Sequence, residues 1–250
     1  MNPSPFISFP IFENFVELVC AFSTRQGGVS HKPFDSLNLG MRTGDKLENV
    51  QKNRRIFFNA LDINADKIAY TDQVHSAHVK LVQKATLYKR TDALVFSGRD
   101  IFLTVLTADC FPIFIYAPRF DTIAIIHAGW RGVVNGIIEN TLEKIRTYFK
   151  INPMYYLVAI GPGMQSECFE VKEDVYRNIP DRFIYPHISP EHKYLDLHAL
   201  ILEKLLFRGV LRENIYSSEL CTKCESHLFY SYRRDGLQSG RMMGIIGLRK

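Results

Sequence analysis

Apolar residues recur along this chain with two different periods. Unbroken runs at Ile101–Leu106 and Thr122–Ile126, with Pro112–Tyr116 between them, are rich in Ile, Val and Phe. Such runs predict strands buried on both faces. Shorter segments at Leu18–Thr24, Ile68–Thr71, Val79–Val82, Ala93–Phe96, Tyr155–Ile160, Ile215–Ser217 and Ile245–Leu248 also read as strands. Helical spacing appears over Glu48–Leu61, Gly132–Phe149 and Leu195–Phe207; in the second of these Val133, Val134, Ile137, Ile138, Leu142 and Ile145 share one side. No linker, repeat or low-complexity stretch interrupts the pattern. It predicts one α+β domain over residues 1–250, with two packed mixed β-sheets flanked by helices.

The composition, 46% hydrophobic and 23% charged, is that of an ordinary globular chain. The net charge of +5 comes without a basic tract, which speaks against nucleic acid as a partner. No apolar run is long enough to cross a bilayer, and residues 1–19, interrupted by Pro3, Pro5, Pro10, Glu13 and Glu17, do not read as a signal peptide. Five cysteines without framework spacing suit a reducing cytoplasm, where a thiol stays free to act as ligand or nucleophile. The oligomeric expectation is a monomer or small homo-oligomer.

Three segments each place a good metal ligand in an apolar setting: Gln73-Val74-His75, Ala108-Asp109-Cys110 and His127-Ala128-Gly129-Trp130-Arg131-Gly132. Two imidazoles and one thiol make a three-ligand zinc set with a fourth position open. Each also has a plainer reading. His75 alone suits a loop histidine, with His78 as a competitor, and Cys110 alone suits a small buried hydrophobe. The segment beginning at His127 is the strongest signal: a histidine ends an apolar strand, two glycines permit a sharp turn, and a helix follows. Arg131 and the N–H groups at that helix start form a candidate anion site. Arg25, beside the turn Gly27-Gly28, suits phosphate or carboxylate. Asp72 and Asp109 are candidates for acid/base duty or for orienting a ligand. Cys221-Thr222-Lys223-Cys224, with His227 trailing, is a rival metal site that lacks a visible fourth ligand, so a redox role or simple burial competes with it.

Assembled, these segments resemble the YfiH family, also called the laccase-domain or peptidoglycan-editing-factor family. The resemblance extends over nearly the whole chain. It rests on Thr24-Arg25-Gln26-Gly27-Gly28-Val29-Ser30, Leu37-Asn38-Leu39-Gly40, Gln73-Val74-His75, Thr91-Asp92-Ala93-Leu94-Val95 and Thr107-Ala108-Asp109-Cys110-Phe111-Pro112. His127-Ala128-Gly129-Trp130-Arg131-Gly132, Gly161-Pro162 and Phe229-Tyr230-Ser231-Tyr232-Arg233-Arg234-Asp235 complete it. It implies a four-layer α/β/β/α fold and a zinc site from His75, Cys110 and His127. It also implies purine nucleoside chemistry: phosphorolysis of adenosine, inosine or methylthioadenosine, and deamination of adenosine to inosine.

The partners expected on this basis are a small-molecule nucleoside and phosphate, with Arg25, Asn38, Arg131 and Arg233 as candidate contacts. Asp72, Asp109 and, as a possible nucleophile, Cys110 are the candidate catalytic groups. Zinc is expected in preference to copper, because polyphenol oxidation needs several histidine-rich copper sites and the eight histidines here form no H-x-H pair. The runner-up activity is amide cleavage in a UDP-muramoyl amino acid precursor.

Overall fold

The structure, a computed structural model, describes residues 4–250; Pro3 of the N-terminal reading lies outside the described residues. In chain order the strands are β1 Phe6–Ile7, β2 Leu18–Ser23, β3 Ile68–Thr71, β4 Val79–Leu81, β5 Leu87–Tyr88, β6 Ala93–Ser97, β7 Phe102–Thr107, β8 Phe111–Ala117 and β9 Thr122–Ala128. They continue with β10 Leu157–Ile160, β11 Glu170–Val171, β12 Ile184–Pro186, β13 Lys193–Leu195, β14 Ile215–Ser217 and β15 Met242–Leu248. The helices are α1 Leu47–Ala60, α2 Trp130–Val134, α3 Ile137–Phe149, α4 Glu173–Tyr176, α5 Leu197–Phe207 and α6 Tyr232–Asp235.

Two six-stranded mixed sheets carry the fold, in the orders β1-β2-β15-β7-β3-β5 and β14-β10-β8-β9-β6-β4. They pack face to face: Phe22, Leu103, Val105 and Ile246 of the first share a core with Leu94, Phe114, Ile123 and Ile125 of the second. The outer face of the first sheet is covered by α1 through Phe57 and Phe58. The outer face of the second is covered by α3 and α5 through Ile138, Leu142, Ile201 and Leu205. This is the four-layer α+β arrangement expected. Of the runs read as doubly buried, Pro112–Tyr116 and Thr122–Ile126 are buried throughout, whereas Ile101 and Leu106 of the third are only half-buried.

Three features depart from the sequence reading. The helix expected over Gly132–Phe149 is two helices, because Gly136 adopts a left-handed φ of 89° that an α-helix cannot continue through. The last strand starts at Met242, ahead of Ile245. Gly244 makes that stretch look turn-like, yet a Cβ there would stand 2.9 Å from the Phe114 ring, so glycine serves close sheet packing. A small sheet, β11-β13-β12, covers part of the molecule unanticipated. Its strands of two or three residues are too short to show a period.

Candidate metal centre

The register of the second sheet builds one end of the site. Strand β9 lies between β8 and β6, aligning His127 with Pro112 on one side and Ile126 with Ala93 on the other. Cys110 and Asp92 therefore sit just beyond the strand ends that flank His127, and the His127 N–H donates to the Asp92 carbonyl at 2.8 Å. Along β9, Ile123 and Ile125 face the other sheet while Ala124, Ile126 and Ala128 face the helices. Alternation puts His127 on the inter-sheet side, and the same parity holds for Cys110 ahead of Phe114 and Asp92 ahead of Leu94. All three thus cap the end of the core between the sheets.

His75 arrives from the other sheet, on the loop after β3. Gln73 anchors that loop by extending the β3–β7 pairing with its side chain: it donates to the Leu106 carbonyl at 2.7 Å and accepts from the Leu106 N–H at 2.8 Å. Asp92 then gathers the loop. Its carboxylate accepts from the N–H groups of Val74, His75 and Ser76, from the Ser76 hydroxyl at 2.7 Å and from His127 Nδ1 at 2.9 Å. Those donors offset the cost of placing a carboxylate where no solvent reaches it. Burial opposes ionisation of Asp92, but the His127 and Ser76 hydrogen bonds outweigh it and hold the group at about 2.

The ligand atoms of His75, Cys110 and His127 all lie within 4.8 Å of one another. Cys110 Sγ is 3.9 Å from His75 Nε2, and the two imidazole rings stand edge to face at 4.8 Å between centroids. Zinc bonds of about 2.0–2.3 Å to nitrogen and sulfur fit a set this tight, and the donors suit that ion. Because Asp92 takes the Nδ1 proton, His127 presents Nε2 to the cluster. Burial disfavours charge on both partners of the Cys110–His127 pair. Mutual attraction and hydrogen bonding outweigh it, lowering Cys110 to about 6 and raising His127 to about 9.

Gly129 completes the cradle. A Cβ there would stand 2.9 Å from Cys110 Sγ and 3.0 Å from His75 Cδ2. Its φ of −82° is one any residue can adopt, so this glycine is required for close approach and not, as the sequence suggested, for a sharp turn. Gly132 is similar: a Cβ would meet the Ser76 carbonyl at 2.9 Å. Backbone strain gathers here too, with His75 at φ 57° and Asp109 at φ 94°.

The other predicted residues are placed differently from one another. Asp72 turns its carboxylate to Arg42 at 2.9 Å, leaving Asp92 to serve His75 and His127. Asp109 adjoins Cys110, but its oxygens accept from the Thr222 hydroxyl at 2.8 Å and the Arg233 N–H at 2.7 Å, so it ties two loops to the centre. Arg25 donates to the carbonyls of Asp35 and Ser226 and lies over the Tyr230 ring, holding the scaffold. Asn38 is fully buried, bonding Thr43, Asp45, Gly40 and the Arg241 N–H. Arg131 and Arg233 are exposed, stacked on Trp130 and Phe169 respectively. The helix behind Arg131 has only five residues and brings little dipole to an anion site. His78 faces the Arg90 carbonyl.

Sequence reasoning gave no role to Asp92, Ser76 or Arg241. Arg241 lies within electrostatic reach of Asp109 and Cys110; burial lowers its pKa while Tyr232 and those two groups work against that. Cys168 was missed as well. It joins Cys221 and Cys224 in a second group whose sulfurs lie within 4.8 Å of one another. The concavity of about 760 Å³ between α3 and α5, lined by Val134, Glu139, Leu200 and Phe207 among others, includes none of the three ligands of the first group. The ligand chemistry outweighs cavity size in locating the centre.

Residues 19–249 match the family model described as multi-copper polyphenol oxidoreductase laccase. The chain is 33% identical to the purine nucleoside phosphorylase YlmD of Bacillus subtilis (strain 168), over 95% of its own length and 91% of the relative's. It is 36% identical to the purine nucleoside phosphorylase YfiH of Escherichia coli (strain K12), over 90% and 92%. The crystal structure of YlmD from Geobacillus stearothermophilus superposes with a TM-score of 0.91 at 33% identity, covering 99% of this chain and 100% of that one.

Proposed function

Because the chain belongs to this laccase-domain family, whose YfiH and YlmD relatives are named purine nucleoside phosphorylases, we propose that it is a zinc-dependent purine nucleoside phosphorylase that also deaminates adenosine. The observation that carries the reading is the convergence of His75, Cys110 and His127, with Asp92 fixing the tautomer of His127. The nucleosides are adenosine, inosine and methylthioadenosine, and the products are free base and ribose 1-phosphate. Copper-based phenol oxidation is less well supported. It needs several histidine-rich sites, and among the described residues only two histidines converge in any metal-binding group.

His75, Cys110 and His127 would hold the zinc, which when bound supplies Lewis acidity and a nucleophile at neutral pH. In phosphorolysis a phosphate oxygen bonds to ribose C1′ as the C1′–N bond breaks, its electron pair passing to the purine, which takes up a proton. Arg131 and Arg233, exposed beside the centre, neutralise phosphate. Arg241, whose backbone N–H donates to the Asn38 side-chain oxygen, adds positive charge at Cys110 and Asp109. Arg25 and Asp109 act indirectly, positioning the loops that carry these groups. Asp72 and its partner Arg42 form the outer wall on the His75 side.

The test is incubation of zinc-loaded protein with adenosine and phosphate, followed by chromatography of the products. Adenine with ribose 1-phosphate reports phosphorolysis, and inosine reports deamination. Absence of product from every purine nucleoside, together with unchanged metal content in His75→Ala, overturns the proposal. Release of an amino acid from a UDP-muramoyl precursor in its place identifies a cell-wall editing amidase.

A further inference from the structure

The group formed by Cys168, Cys221 and Cys224 takes no part in that chemistry. Cys168 ends a 3₁₀ turn, Ser166–Cys168, in the loop after β10. Cys221 and Cys224 sit in the loop after β14, whose backbone joins the first loop through the Gly163–Cys221 bridge and the Thr222 N–H to the Gly163 carbonyl at 3.0 Å. The C-x-x-C segment is folded into a tight turn by the Glu225 N–H, which donates to the Cys221 carbonyl at 2.9 Å. Cys168 and Cys224 sulfurs are 3.3 Å apart, and the whole trio spans no more than 4.8 Å.

A tetrahedral zinc with Zn–S bonds of about 2.3 Å holds its sulfurs roughly 3.8 Å apart. The Cys168–Cys224 separation is about half an ångström short of that edge and no pair exceeds 4.8 Å, so a small rotation of the side chains would meet it. The backbone bridge between the two loops, with the turn closed by Glu225, fixes where these sulfurs sit. Cys221 is buried and Cys224 exposed, so the fourth position faces solvent.

We propose that Cys168, Cys221 and Cys224 form a second metal site, binding zinc as a structural clasp between the loop after β10 and the loop after β14. The clasp acts behind the catalytic centre. Phe169, beside Cys168, lies under the Arg233 guanidinium, and the Glu170 carbonyl accepts from it at 2.7 Å. Thr222, beside Cys221, holds the Asp109 carboxylate. Thiolates are soft donors that suit zinc, and drawn from two separate loops they tie those loops together.

The experiment uses the full chain, reduced and kept anaerobic, with zinc as the added metal. Elemental analysis after gel filtration is expected to give about two zinc equivalents per chain, falling to about one in the double variant His75→Ala/His127→Ala and to about one in Cys221→Ser. Cobalt added to the histidine double variant should still give an intense thiolate-to-cobalt charge-transfer band. In unmutated protein, which avoids any folding defect, zinc should protect Cys168 and Cys224 from iodoacetamide. One equivalent that is indifferent to Cys221→Ser, or alkylation that zinc does not slow, overturns the proposal. So does an intact mass lower by two hydrogens with Cys168 and Cys224 crosslinked in the reduced preparation, which identifies a disulfide pair in place of a metal site.

Discussion

The two sulfur-bearing clusters differ in what holds them and in the donors they offer. Strand register places Cys110 and His127, and a buried carboxylate, Asp92, gathers the loop that brings His75 to them. Cys168, Cys221 and Cys224 are brought together by two loops joined through the Gly163–Cys221 bridge, with no carboxylate bonded to their sulfurs among the described residues. Two imidazoles and one thiol present a mixed donor set, whereas the second cluster offers sulfur alone.

The sharpest way to break the contrast is to remove a ligand from the first cluster. His127→Ala or Cys110→Ser should lower kcat/KM for phosphorolysis by about a thousandfold or more, the rate equivalent of several kcal/mol of transition-state stabilisation. Next in size is Asp92→Asn. It replaces the acceptor of five hydrogen bonds with an amide, and zinc affinity measured by competition with a chelator should fall about 10–100-fold. Gly129→Ala pushes a methyl group toward Cys110 Sγ and His75 and should weaken zinc by a similar or smaller factor, toward tenfold.

Acid sensitivity should follow Asp92 as well. Its folded value of about 2 lies below the ordinary 3.8, so its contribution is complete above about pH 4 and is lost as pH falls through 2. That contribution is about 2 kcal/mol, and a pH series of denaturant midpoints should show the acid slope flattened in Asp92→Asn. The smallest effect is expected at the second cluster. Cys221→Ser should lower the Tm of zinc-loaded protein by only a few degrees, at about 2–4 °C for each kcal/mol lost. Its cobalt spectrum from the first cluster should be unchanged. A loss as large as that of Cys110→Ser would erase the distinction between the clusters.

The three ligands of the first cluster were legible because each ends an apolar segment, where a polar side chain has few reasons to sit. Asp92 was not legible in the same way. A carboxylate before a strand reads as an ordinary turn residue, and only the pairing of β6 with β9 turns it toward His127. Arg25 was read as an anion contact from its glycine turn, and Asn38 as a substrate contact from the resemblance; their polar atoms are consumed by partners that no local pattern reveals. Cys168 escaped for a related reason: it lies 56 residues from Cys224, and nothing in its own segment marks it as a partner. The layers were legible from strand and helix periods, whereas the break at Gly136 depends on one residue that a long amphipathic pattern tolerates.

The setting of β9 between β8 and β6 also dictates an order of events during folding. Cys110 and His75 are 35 residues apart, as are His127 and Asp92, and the latter pair meets only when β9 has docked on β6. Closing such loops is an entropic cost that the chain meets late, with the rest of its non-local pairing. Until its second sheet is in register a newly made chain does not bring His75, Cys110 and His127 together, so any metal that needs all three would report the correct topology.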